Sequence, residues 1–206
     1  MAPTNPQPGP RSAAKTGSQS GPKTARPASP PSETASRIMD IGERMARGGG
    51  YNSFSFREIA AEIGIKPASV HYHFATKELL GAAIANRYTA RFLQALGAPD
   101  ALAPDIAIAR YIEAYRGALL QEGLMCLCGM FGAQIACLPE TVADEARVFF
   151  ERNMAWLETV FARSGFTPEA ARAEAASLIA TLEGAMILAR TMQDPALFDA
   201  ILARRN

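Results

Sequence analysis

From Glu33 onward, apolar side chains recur at steps of three and four residues, the period of a helix with one buried face. Ile38, Ile41 and Met45 give a first helix its apolar stripe, and Gly48-Gly49-Gly50 stops it. Ser55-Phe56-Arg57-Glu58 has the spacing of a capping box, in which the Ser55 hydroxyl takes a first-turn N–H and Glu58 reaches back. The helix it opens runs to about Ile63, where Gly64 supplies a left-handed end. Pro67 suits the first turn of a third helix, where a missing N–H costs nothing, and that helix ends near Phe74. Thr76 caps a longer fourth helix that carries Leu79, Leu80, Ala83, Ile84 and Tyr88 and fades near Gly97.

The same period predicts a fifth helix from Pro104 to Gln121 and a sixth from Met125 to Leu138. A seventh follows Pro139 to Arg163, an eighth runs from Pro168 to Met192, and a last one from Ala196 to Arg204. No strand-like alternation bounded by turns occurs, so the fold class is all-α, with about nine helices. Residues 1–31 contrast with all of this. They are rich in Pro, Gly and Ser, and they hold no Ile, Leu, Val, Phe, Tyr or Trp. Such a segment cannot bury enough surface to offset its ordering entropy and is expected to be a disordered tail.

Charge changes the picture more than composition does. The chain has 206 residues, 49% apolar and 20% charged, an ordinary globular balance, and its net charge is only +1. That total hides a gradient. Arg11, Lys15, Lys23 and Arg26 make the tail basic with no acid, residues 33–92 carry a smaller excess of bases, and residues 93–206 are acidic. A basic front on an acidic back points to an anionic partner at the front, and the tail is a candidate arm for DNA phosphates. No run approaches the ~18 apolar residues of a membrane span, and no signal peptide is expected. Three cysteines, an odd number, fit a reducing cytoplasm better than a disulfide framework.

The segment from Ser55 to Lys77 has the form of a helix-turn-helix: a capped helix, a short turn at Gly64, and a helix opening on Pro67. In that geometry the first helix crosses the phosphate backbone and the second enters the major groove. Ser55 stands at a helix N-terminus that attracts phosphate, and Arg57 lies in its first turn. Lys66, Pro67, Ala68 and Ser69 lead the third helix with short side chains that let backbone approach DNA. His71, Tyr72 and His73 add donors and flat rings, and Lys77 is a phosphate-seeking charge. Val70 and Phe74 face inward against Ile59 and Ile63.

Gly50-Tyr51-Asn52-Ser53-Phe54-Ser55-Phe56-Arg57-Glu58-Ile59-Ala60, Gly64-Ile65, and Val70-His71-Tyr72-His73-Phe74-Ala75-Thr76-Lys77-Glu78-Leu79 together resemble the N-terminal domain of TetR-type transcriptional regulators. The resemblance covers about residues 32–92. It departs at His71, where the family usually has a phosphate-binding Tyr, and at Lys66-Pro67-Ala68-Ser69, where it often has Ser-Lys-Gly-Thr. The resemblance implies an N-terminal three-helix DNA-binding domain (32–92) and a C-terminal helical bundle for effector binding and dimerisation (93–206). It further implies a cytoplasmic homodimer on a near-palindromic double-stranded DNA operator, mostly a repressor released by a small molecule. An activator of the same fold is the alternative. Small and apolar positions on the eighth helix (Ala171, Ala175, Leu178, Leu182, Ala185 and Ile187–Ala189) agree with core or interface, and helices eight and nine of two subunits are expected to form a four-helix bundle.

Met125-Cys126-Leu127-Cys128-Gly129-Met130-Phe131-Gly132-Ala133-Gln134 is the second unusual stretch, with Cys137 near its end. It resembles, more weakly, the sixth helix of a branch of that family that includes thiol-based sensors of electrophiles. On one helix, Cys126 and Cys128 lie about 200° apart and Cys126 and Cys137 about 16 Å apart, so no intrachain disulfide fits. Zinc lacks ligands, a copper(I) pair requires extended backbone, and no cofactor is implied. Cys126, near a helix start, is expected to have a lowered pKa and to be open to electrophiles, with small apolar packing as its other reading. Enzyme chemistry on Cys126 lacks a base, because no His follows His73. For a reversible apolar effector the candidate walls are Tyr88, Phe92, Tyr111, Tyr115, Met130, Phe131, Gln134, Phe150, Met154, Trp156 and Met186. Glu183 and Arg190, seven apart, are candidates to orient it or to pair across a dimer.

Overall fold

The structure, a computed structural model, describes Met1 and residues 32–204. The expected disordered tail and its DNA-touching role lie outside the described residues, Met1 apart. Ser32 opens the first helix, α1 (Glu33–Gly49), by accepting the Ala35 N–H at 3.2 Å. Gly50, at φ +84°, ends it and leads into a 3-10 turn, Tyr51–Ser53. Ser55 caps α2 (Phe56–Ile63) through the Glu58 N–H, and Gly64 closes it in the left-handed conformation. Pro67 begins α3 (Pro67–His73), and the Thr76 hydroxyl caps α4 (Lys77–Leu96) through the Leu79 N–H.

The remainder consists of α5 (Pro104–Leu120), α6 (Leu127–Gly132), a 3-10 turn (Ile135–Cys137), α7 (Glu140–Arg163), α8 (Pro168–Thr191) and α9 (Ala196–Leu202). Among the described residues the fold is all-α, and no helix is long and apolar enough to cross a membrane. The sixth helix departs from expectation. One helix over 125–138 is replaced by a six-residue α6, a break at Ala133-Gln134, and the 3-10 turn. Met125 lies before α6 and pairs instead with α1: Arg47 Nε donates to its carbonyl at 2.8 Å, and its N–H returns to the Arg47 carbonyl. Gly129 and Gly132 then weaken the helical segment itself by about 1 kcal/mol each.

α4 belongs to both halves. Ile84, Arg87 and Arg91 meet α1, while Glu78, Gly81 and Tyr88 meet α7 at Thr141, Val142 and Phe149. Tyr88 and Phe92 of α4, Tyr111 and Tyr115 of α5, and Phe149 and Trp156 of α7 form the aromatic centre of the C-terminal body. Their polar ends are placed: the Tyr111 hydroxyl donates to Asn153 Oδ1 at 3.0 Å, and Trp156 Nε1 donates to the Gly97 carbonyl at 2.8 Å. α9 turns Phe198 and Leu202 inward, and its Asp199 is gripped by both arms of Arg116 on α5 at 3.0 Å. Between α1 and α4 lies a buried carboxylate, Glu43, facing Arg91, Arg87 (3.4 Å) and Arg47 (4.0 Å). Burial pushes its carboxyl above the usual range, against the pull of these arginines.

Phe149 is fully buried at the meeting of three aromatic contacts. Phe149→Ala is expected to cost about 3–5 kcal/mol of unfolding free energy, measured by urea denaturation; a loss below about 1 kcal/mol contradicts this packing.

Candidate functional site

Gly64 makes the turn between α2 and α3. Its N–H and that of Ile65 both donate to the Ala60 carbonyl at 3.0 Å, which folds the chain back sharply enough for Lys66 to leave in extended form. Val70 then anchors α3 beneath, fully buried with Ile59, while Phe74 and Ile63 pack half-buried around them. The opposite face of α3 is bare. Lys66, Pro67, Ala68 and His71 are exposed, Ser69 and His73 are half-buried, and Tyr72 stands 85% exposed. With Thr34 and Ile65, most of these residues line a surface groove of about 460 Å³. Thus residues 66–73 lie on one short element, with Arg57 exposed on α2.

Three of the candidate side chains have partners, of which the sequence announced only that of Ser55. Ser55 Oγ is taken by the Glu58 N–H. The His71 ring meets the Phe56 ring edge-on at 4.5 Å. Lys77 Nζ rests over two rings, 4.5 Å from the Tyr51 centroid and 4.8 Å from that of Phe54. Burial draws the Lys77 ammonium below the ordinary lysine range, with Glu58 pulling the other way.

The residues expected to sense an effector do not meet in one place. Tyr115 donates to Glu183 Oε1 at 3.2 Å inside the body. Trp156 is engaged with Gly97. Phe131 is buried edge-on to Tyr51, and Gln134 Oε1 accepts the Tyr51 N–H at 2.9 Å, so both face the DNA-binding half rather than a pocket. Met130 is half-buried against the core. Cys126 and Cys128 are buried, and Cys137 is exposed on the 3-10 turn. A separate apolar groove of about 480 Å³ runs over Gly132, Ile135, Phe150 and Met154, edged by Arg147, Glu151, Glu158 and Arg172. Glu183 and Arg190 also part company. Glu183 points inward, and Arg190 donates to the carbonyls of Gly48 (2.9 Å) and Arg47 (3.5 Å) at the end of α1.

Comparison with known proteins fits this geometry. Residues 38–84 match the family described as bacterial regulatory proteins, tetR family, and residues 104–204 match the C-terminal domain described as transcriptional regulator LmrA/YxaF-like. The crystal structure of a TetR transcriptional regulator from Legionella pneumophila is 33% identical, with TM-score 0.79, over 82% of this chain and 94% of that one. The chain belongs to the TetR family of transcriptional regulators. A TetR-family regulator from Agrobacterium tumefaciens is 32% identical, with TM-score 0.76, over 81% of this chain and 92% of that one. AibR, solved in complex with isovaleryl coenzyme A and operator DNA, shares the fold at 20% identity and TM-score 0.59, over 73% of this chain and 84% of that one. No curated protein matches the sequence. This TetR-type protein is therefore a DNA-binding transcriptional regulator, and α2 and α3 are its helix-turn-helix.

Inside the body of this TetR-type regulator, the thiols differ from expectation. Cys126 caps α6, its Sγ accepting the Gly129 N–H at 3.4 Å, but the lowered pKa expected of a helix start is reversed. Burial pushes the thiol well up, and the nearby Glu183 carboxylate adds to that. Cys128 is raised for the same two reasons in the same order. The helix-start effect loses because the desolvated site opposes any anion and already holds a carboxyl group. Burial likewise raises Glu183, while hydrogen bonds from Cys126 and Tyr115 lower it.

In the native protein iodoacetamide is expected to alkylate Cys137 first, with Cys126 and Cys128 reacting at least tenfold more slowly by mass spectrometry; equal rates contradict their burial. A raised Glu183 carboxyl binds its proton more tightly folded than unfolded, so its contribution to stability is present at acid pH and lost as pH climbs through the raised value. Glu183→Gln, which keeps an acceptor for Tyr115, is expected to gain about 2–4 °C in melting temperature at pH 8 and little at pH 5. A gain confined to pH 5 reverses the sign and contradicts this account.

Proposed function

We propose that the protein is a homodimeric repressor that holds a near-palindromic operator in the cytoplasm and leaves it when the C-terminal body, residues 93–206, captures a small molecule. The observation that carries this reading is the bare face of α3, with Tyr72 85% exposed above a fully buried Val70. Short side chains at Ala68 and Ser69 let the backbone approach a groove, and Lys66, His71, His73 and Lys77 bring donors to its edges. Ser55, Arg57 and Pro67 complete the contact. The family's phosphate-binding Tyr is His71 here, and its neighbour Tyr72 supplies the protruding ring.

The second copy docks on the outer face of α8. Ala173, Ala180, Ile187, Leu188 and Met192 are exposed along it, and a Cβ on Gly184 would meet no atom within 4 Å. Small residues allow two such helices to approach closely. The partner helix in that bundle is α7, which packs along α8, rather than the expected ninth helix: α9 has seven residues, about 10 Å, and spends its apolar side chains inward.

An apolar effector carrying one or two polar groups enters the aromatic centre between α4, α5, α7 and α8, where the Tyr111 and Tyr115 hydroxyls and Glu183 can exchange partners with it. AibR holds an acyl-coenzyme A and operator DNA on the same fold. Burial and raised pKa of Cys126 and Cys128 favour reversible capture over release by thiol modification. Capture shifts the population from an operator-competent to an incompetent spacing of the two α3 helices.

Gel shift on the DNA upstream of the protein's own gene tests this reading. Tyr72→Ala and Lys77→Ala are each expected to weaken binding about tenfold, or about 1.4 kcal/mol, with a steep loss as salt rises. Deletion of the gene is expected to raise expression from that DNA. Undiminished binding by the double variant sinks the docking, and a fall in expression on deletion makes the protein an activator.

A further inference from the structure

Tyr51 stands where the DNA-binding half, α4 and the α6 segment meet. Its N–H donates to Gln134 Oε1 at 2.9 Å, and its ring meets Phe131 of α6 edge-on at 6.0 Å. The same ring lies under Lys77 Nζ at 4.5 Å. Two glycines make room for this arrangement. A Cβ on Gly81 of α4 would come within 2.8 Å of the Tyr51 ring, and a Cβ on Gly50, already at φ +84°, within 2.6 Å of the Gln134 amide. Beside it, Arg190 of α8 holds the Gly48 carbonyl at 2.9 Å. The Gln134 and Arg190 side chains therefore hold backbone groups at and just beyond the end of α1.

We propose that Tyr51 couples the α6 segment to the DNA contact at the start of α4: Gln134 holds its backbone N–H, Phe131 meets its ring, and the ring positions the ammonium of Lys77. The proposal rests on the reading of Lys77 as a phosphate contact. An ammonium held over a ring face keeps a defined position while remaining available to an anion from the other side. A shift of α6 that releases Gln134 moves the ring, and Lys77 loses its support. Coupling of this kind is reciprocal, so DNA on Lys77 steadies the Tyr51–Gln134 contact in return. Tyr51 and Gln134 are positioning residues here, acting on DNA through Lys77.

A double-mutant cycle on the full chain tests the coupling. A preferred duplex is first enriched from a randomised pool by the wild-type protein. Its affinity is then measured for wild type, Gln134→Met, Lys77→Ala and the pair. Gln134→Met is expected to weaken binding threefold to tenfold, and the double variant to retain at least threefold more affinity than the product of the single losses allows. Gln134→Glu, which keeps the acceptor for the Tyr51 N–H, is expected to restore wild-type affinity to within twofold. Hydrogen exchange gives the reciprocal readout: the duplex slows exchange of the Tyr51 amide in wild type and leaves it unchanged in Lys77→Ala. Losses that multiply, or equal slowing in both proteins, overturn the coupling while leaving DNA binding intact. A pool that yields no preferred duplex overturns the DNA-binding reading, and the coupling falls with it.

Discussion

A helix that ends inside a protein leaves carbonyls without partners, and the rest of this structure depends on how α1 resolves that problem. The carbonyl of Gly48 accepts from Arg190, and that of Arg47 from Arg190 and the Met125 N–H. Just past the helix end, the Tyr51 N–H goes to Gln134. All of these partners come from the C-terminal body. Satisfying the end of one helix thus joins the half that carries α3 to the C-terminal body. Gly50 sits at φ +84°, where any other residue would be strained, and a Cβ there would come within 2.6 Å of the Gln134 amide and make it shift.

Two buried carboxylates give the halves their internal register. Glu43 is surrounded by guanidinium groups from both α1 and α4, so it locks the orientation of α4 against the DNA-binding half. Glu183 has no such cationic surround among the described residues; burial raises its affinity for a proton, while the Tyr115 hydroxyl donates to it and pulls the other way. Burying either group costs free energy that a hydrocarbon side chain would not. The first is compensated by geometry within the fold. The second leaves a polar group at the aromatic centre.

Placement also decides what the cysteines do. A cap position on a short helix promises a reactive thiol, yet Cys126 sits beside Glu183 and out of water, where a thiolate is disfavoured twice over. Nothing in its spacing marks Cys137 out, yet it is the exposed thiol, because the break after α6 places it on the 3-10 turn at the surface.

Local rules made much of the fold legible. Ser32, Ser55 and Thr76 cap, Gly64 reverses the chain, and Pro67 opens α3 because each of these acts within a few residues of itself. The face of α3 was legible for the same reason, since Val70 and Tyr72 differ by a fixed rotation on one helix. The break in α6, the inward turn of Glu183 and the true partners of Gln134 and Arg190 were not. Gln134 bonds across 83 residues and Arg190 across 142, and no spacing rule reaches that far. Residue order alone is enough for the helices other than the sixth, for the local caps and for the helix-turn-helix, because backbone geometry and short-range hydrogen bonds set them. Which polar side chain meets which orphaned backbone group is settled by packing, because that choice exists only after the helices have come together.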